Sequence, residues 1–168
     1  MKARMVLGMT ALVISSLIGG SASAQVQRVD IGVDGLACPF CSYGLEKKLK
    51  EVKGAGEVVI NITKGVAVLK NNGNESIDIE QIEPVVKDAG FTLRDLSASV
   101  AGIVKTIDGA PTLVVNGSDT RFMIAANAAS KALRNDQKAT VTGTLTQPQP
   151  RGHNGHPFTL TIQEIEVQ

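Results

Sequence analysis

From Arg28 the apolar residues fall on every second position, Val29, Ile31 and Val33, until the turn pair Asp34-Gly35, which is the pattern of a half-buried strand. After the loop Leu36 to Phe40 the period changes. Cys41, Leu45, Leu49 and Val52 recur at helical spacing, Glu46 and Lys50 form an i,i+4 pair on the wet side, and Gly54 stops the helix. Alternation returns at Val58, Ile60 and Ile62. Thr63-Lys64-Gly65 turns the chain into Val66 to Leu69, which predicts a β-hairpin. Ile79, Ile82, Val85, Val86 and Ala89 make a second helical stripe closed by Gly90, and Phe91 to Arg94 is expected as a last strand. The predicted order is βαββαβ.

Pro84 fits that helix only near its start, because inside a helix it loses one backbone hydrogen bond and clashes with the preceding turn, at a cost of about 3 kcal/mol. The regular helix is therefore expected to begin near Glu83, with Asp78 to Ile82 as a looser turn, or else to kink at the proline.

After Leu96 the small residues Ser97-Ala98-Ser99 mark a change of texture, and Val, Thr, Ile and Gly then dominate. Strands are expected at Val100 to Ile107, Thr112 to Val115, Arg121 to Ile124, Ala139 to Leu145 and Phe158 to Val167, with a short helix at Ala125 to Leu133. Gly102 and Gly143 lie inside two of these strands, as at bulges where a small sheet bends to close. Five strands with one helix between the third and fourth suggest a small OB-like β-barrel at 99–168, separate from 25–98. The class is α+β.

The N-terminus changes the picture of where such a chain resides. Lys2 and Arg4 precede an uncharged, mostly apolar run from Met5 to Ile18, followed by Ala22-Ser23-Ala24, the three-part layout of a secretory signal peptide over 1–24. That run is shorter than the roughly 20 residues a membrane-spanning helix needs, so cleavage after Ala24 and a periplasmic or secreted protein without a membrane anchor are expected. Residues 25–168 hold 15 basic and 16 acidic side chains, a net charge of −1, which gives nucleic acid or an anionic membrane no field to follow. The segment 99–168 has only Phe122 and Phe158 as aromatics, too few for a base-stacking groove.

Chemistry concentrates in the two cysteines, Cys38 and Cys41. Three positions apart, they are too close to staple a fold. Cys41 is expected in the first turn of the helix and Cys38 just before it, where unpaired N–H groups favour thiolates. Two sulfurs on one short loop suit a soft ion content with two near-linear ligands, Cu(I) or Hg(II), whereas a closed zinc site needs four.

Residues 28–96, with Gly35-Leu36-Ala37-Cys38-Pro39-Phe40-Cys41 and Asp88-Ala89-Gly90-Phe91, resemble a heavy-metal-associated domain of the copper-chaperone and periplasmic mercury-scavenger type. The resemblance implies a ferredoxin-like βαββαβ metal-binding domain, Cys38 and Cys41 as metal ligands, and a non-catalytic role: capture of the ion and its transfer to a metal transporter or another metal carrier. It also implies that Phe91 packs near the metal loop. Leu36 and Ala37 replace the family's usual Met and Thr. Leucine keeps an apolar plug of similar volume, a change of under about 1.5 kcal/mol. Relatives preferring zinc, cadmium or lead tend to carry an acid where this chain has Ala37, which leans the ion toward copper or mercury.

Cys-Pro-x-Cys also occurs in thioredoxin-like disulfide oxidases, so a periplasmic thiol-disulfide redox protein using the same pair is the alternative. That fold needs a proline on a strand facing the cysteines, and Pro84 lies in helical context. His153 and His156, in a Gly- and Pro-flanked loop, are a weaker candidate for a second metal site, and otherwise a solvated turn. The run Lys47, Lys48, Lys50 and Lys53 reads as the wet face of the first helix, and alternatively as a dock for an acidic partner.

Overall fold

The computed structural model describes residues 25–115, 120–147 and 158–167. The expected signal peptide and the His153–His156 pair lie outside the described residues.

Strand β1 (Val26–Asp34) leads through a loop into helix α1 (Pro39–Leu49), followed by the hairpin β2 (Ala55–Asn61) and β3 (Val66–Asn71). A 3₁₀ turn at Ile79–Gln81 runs into helix α2 (Ile82–Asp88) and then β4 (Thr92–Ile107). The expected βαββαβ order is therefore present. Its strands lie in the order β2-β3-β1-β4, all antiparallel. Leu45 and Leu49 of α1 and Ile82 and Val86 of α2 enter the same apolar core as Val29, Ile31, Val33, Ala67, Leu69 and Leu96. Pro84 sits in the first turn of α2, where its missing N–H has no intrahelical partner to lose. The looser turn before it is held by Asp78, whose carboxylate accepts from the Glu80 N–H at 3.1 Å.

The boundary expected at Ser97 to Ser99 falls inside a strand. The strand expected at Phe91–Arg94 and the one expected from Val100 are a single strand of 16 residues. The reason is visible in burial: Leu96, Ala98 and Val100 point into the core while Ser97 and Ser99 are the half-buried residues between them. What composition suggested as a change of texture is the period-two pattern continuing through small residues. The expected change of module thus falls within a strand, and one apolar core spans both sides of it.

Beyond it, β5 (Ala110–Val114), β6 (Arg121–Ile124), β7 (Lys138–Thr146) and β8 (Phe158–Val167) complete the strands among the described residues. Their pairings form a closed circuit, β4-β5-β6-β8-β7 and back to β4, in which only β6 and β8 run parallel. Gly143 marks a register shift against β8, and a Cβ there would meet the Thr161 carbonyl oxygen at 2.2 Å. At Gly102 no register shift occurs. A Cβ would instead meet the Val114 carbonyl oxygen at 2.7 Å, so this glycine permits close approach of β5.

The helix expected at Ala125–Leu133 is reduced to a 3₁₀ turn at Ser130–Ala132. Asn127 and Ser130 exchange side-chain bonds with each other's backbone: the Asn127 N–H donates to Ser130 Oγ at 3.0 Å and the Ser130 N–H to Asn127 Oδ1 at 2.8 Å. Asn127 Nδ2 also donates to the Ile162 carbonyl at 2.8 Å, so local side-chain bonds outcompete the helix.

Because core and strand are shared, Gly143→Ala should lower the stability of the whole chain by about 1–3 kcal/mol through overpacking. Circular dichroism and calorimetry should both record one cooperative transition, shifted as a unit. Two transitions, of which the variant moves only one, would contradict a shared core.

Candidate metal-binding loop

The chain leaves β1 at Asp34 and turns at Gly35, whose φ of +87° lies in the left-handed region that glycine adopts without strain. The Ala37 N–H closes this turn on the Gly35 carbonyl at 2.9 Å. Leu36 is buried in the core and anchors the loop from below, as expected of an apolar plug in place of methionine. Phe91 is half-buried beside the same turn: its Cδ1 lies 3.8 Å from where a Cβ on Gly35 would stand.

Cys38 is the N-cap residue of α1, extended at φ −118° and ψ 125°, and Pro39 takes the first helical position with its ring already set for the helix. Cys41 therefore stands in the first turn, and the Ser42 N–H bonds back to the Cys38 carbonyl at 3.1 Å. Cys38 is partly exposed, Cys41 is exposed, and both are free thiols. The expected placement of the pair agrees with this geometry.

The two neighbouring thiols perturb each other's acidity in opposite directions. Cys38 is pushed below the ordinary thiol value, chiefly because its thiolate accepts from the Cys41 thiol, and further because it faces the N–H groups of Cys41 and Phe40. Those amides favour the anion without closing a full N-cap hydrogen bond. Cys41 is pushed up, because its proton is the one shared with Cys38 and because a second negative sulfur beside the first is disfavoured. The first turn of α1 carries no acidic residue to oppose negative charge on the sulfurs.

An ionic brace holds the strand end behind the loop. Arg94 of β4 donates from Nη1 to Asp34 Oδ1 at 3.3 Å, from Nη2 to the Gly65 carbonyl at 3.5 Å, and from Nε to Asp95 Oδ2 at 2.8 Å. The Val33 N–H meets the same Gly65 carbonyl at 2.8 Å. Sequence reading missed this brace, since Asp34 and Arg94 are 60 residues apart. It also passed over Phe40 and Tyr43, which flank Cys41 and stand in solvent. Their signal was available: at i and i+3 they lie off the Leu45–Leu49 stripe. Among the described residues, no group of three or more His, Cys, Asp or Glu side chains gathers where it could hold a metal, and no helix is long and apolar enough to cross a membrane.

The unequal thiols have a measurable consequence. Iodoacetamide at neutral pH should alkylate Cys38 several-fold faster than Cys41, as resolved by peptide mass spectrometry, because the thiolate is the nucleophile. Raising the pH past the ordinary thiol range should close the gap. Faster labelling of Cys41 at neutral pH would contradict the assignment of the shared proton.

The family model of the heavy-metal-associated domain matches residues 31–92. Copper-transporting ATPase 2 of Homo sapiens is 23% identical over 66% of this chain and 8% of its own length. Copper-transporting ATPase 1 of Rhizobium meliloti (strain 1021) is 29% identical over 43% of this chain and 8% of its own. The chain thus spans less than a tenth of the length of these relatives. Similar solved structures include a copper binding domain from HMA7, a P-type ATPase, 26% identical over 40% of this chain and 90% of that one with a TM-score of 0.37. Another is oxidized MerP from Ralstonia metallidurans CH34, 22% identical over 41% of this chain and 94% of that one, also with a TM-score of 0.37. Residues 31–92 of this chain are a heavy-metal-associated domain.

Proposed function

We propose that this protein is exported, captures a soft metal ion between the thiolates of Cys38 and Cys41, and hands it by ligand exchange to a transporter or another carrier. The observation that carries the reading is the pair itself: two free cysteines three positions apart at the start of α1, inside the matched residues. One sulfur is already biased toward thiolate, and metal binding takes the proton that the other retains. The partly open position of the pair leaves room for an incoming third thiolate, so the ion can be held and yet released.

The ion is Cu(I) or Hg(II). Two sulfurs with no further converging ligand among the described residues suit both, and the similarity to copper-transporting ATPases favours copper. The strands from β4 onward form an OB-like barrel. The closed circuit of pairings supports this, as does the parallel pair β6 and β8 between otherwise antiparallel neighbours. Its role is to carry the metal loop on a rigid support, since β4 belongs to both parts. No chemical step other than metal transfer is assigned to the chain. A disulfide oxidase with the same cysteines gains nothing from Pro84, which lies in α2 and not on a facing strand.

Native mass spectrometry of the reduced protein should show one Cu(I) or one Hg(II) per chain, with none retained by the double variant Cys38→Ala, Cys41→Ala. Equal uptake by the variant would overturn the assignment, and turnover of a model disulfide substrate above that of a simple thiol would favour the redox alternative. Export has its own check: protein recovered from outside the cytoplasm should begin at Gln25. An intact N-terminus there would contradict cleavage after Ala24.

A further inference from the structure

Cleavage after Ala24 would make Gln25 the first residue of the exported chain, and Gln25 is already part of the fold. It is half-buried, and its carbonyl accepts from the Ala101 N–H at 3.0 Å. The next residue, Val26, is fully buried, and its N–H donates to Ser76 Oγ at 2.9 Å. The cut therefore falls directly against the sheet.

The bond to Ala101 fills a gap along one edge of β4. On that edge β1 is paired as far as Val26 opposite Val100, and β5 takes over only from Val114 opposite Ile103. Ala101 lies between the two, and at 3% exposure its N–H has little access to water. Loss of Gln25 would leave that buried donor unmade, which is the costly case for a hydrogen bond. Chain ends are also where proteolysis concentrates, and aminopeptidases act through a free α-amine.

We propose that Gln25 closes on itself to a pyroglutamyl end, and that this lactam keeps the acceptor of Ala101 in place against aminopeptidases. The inference rests on the proposed cleavage after Ala24 and is independent of the metal. Near neutral pH a fraction of an α-amine is unprotonated. Its lone pair adds to Cδ of the same residue, and the new N–C bond closes the ring. The side-chain nitrogen leaves as ammonia, taking the proton that the α-nitrogen gives up. No oxidant, reductant or co-reactant takes part. The reacting atoms are the α-nitrogen and the side chain, whereas Ala101 holds the carbonyl oxygen, so the bond survives the closure. The product is neutral where an ammonium would stand half-buried, which desolvation disfavours.

The test uses the full chain, expressed with its leader and recovered from outside the cytoplasm. Its intact mass should be that of residues 25–168 less one ammonia, and Edman degradation should give no sequence. Pyroglutamyl peptidase acting on the denatured chain should then open a sequence that starts Val26-Gln27-Arg28. Gln25→Asn keeps the amide and the backbone carbonyl, but its shorter side chain closes no unstrained ring. This variant should show the undiminished mass, a readable sequence and the melting temperature of the unaltered chain. After incubation with a broad-specificity aminopeptidase the variant should lose its first residue and melt several degrees lower, while the unaltered chain keeps its mass and melting temperature. A chain that starts at Gln25 with a free amine and undiminished mass would overturn the proposal alone. Equal resistance of the variant to trimming, or trimming that leaves its melting unchanged, would overturn the protective role of the lactam. A chain that starts at any other residue would overturn cleavage after Ala24 and this proposal with it.

Discussion

The hydrogen bonding of β4 along both edges is the constraint on which the rest of the structure depends. Over Leu96–Val100 it is paired with β1 on one side and β7 on the other, and beyond that it pairs with β5. A strand so held cannot slip by one residue without turning Leu96, Ala98 and Val100 outward and both serines inward. Its register therefore fixes the metal-binding half and the closed strand circuit relative to each other. At one end Thr92 pairs with Asp34, the last residue before the cysteine loop, and Arg94 ties that end to the β2–β3 turn. The loop is thus mounted on the best-connected strand of the molecule.

On that mounting, the cysteine pair is shaped by how α1 begins. Proline at the first helical position costs nothing and holds the backbone so that Cys38 caps while Cys41 completes the turn. The exposed amides of that turn favour negative sulfur, Leu36 fastens the loop to the core, and Phe91 closes one side. The thiols themselves stay accessible. A site that is rigid behind and open in front suits an ion that has to be both bound and passed on.

Most of the metal-binding half could be read in the residues because each element carries a clean period: Val29-Ile31-Val33 for β1, Leu45-Leu49 for α1, Ile82-Val86 for α2. Even Pro84 was informative, since proline is harmless only at a helix start. The errors came where side chains are small or polar. Ser97-Ala98-Ser99 reads as a change of texture, and only the pairing partners on both sides make it a strand centre. Ala125–Leu133 has helical composition, but Asn127 and Ser130 offer the backbone competing bonds, one of them to Ile162, 35 residues away. The Asp34–Arg94 brace depends on tertiary arrangement, which local patterns do not encode, whereas the exposure of Phe40 and Tyr43 was legible in their place off the Leu45–Leu49 stripe.

The metal function proposed for this chain turns on two sulfurs from one loop being the whole coordination shell of the ion. X-ray absorption at the copper edge of the Cu(I)-loaded protein counts those ligands directly. The account predicts a first shell of two sulfur scatterers from Cys38 and Cys41, with no nitrogen or oxygen. A three- or four-coordinate shell containing imidazole nitrogen would contradict it, and would mean that residues outside this loop take part in holding the metal.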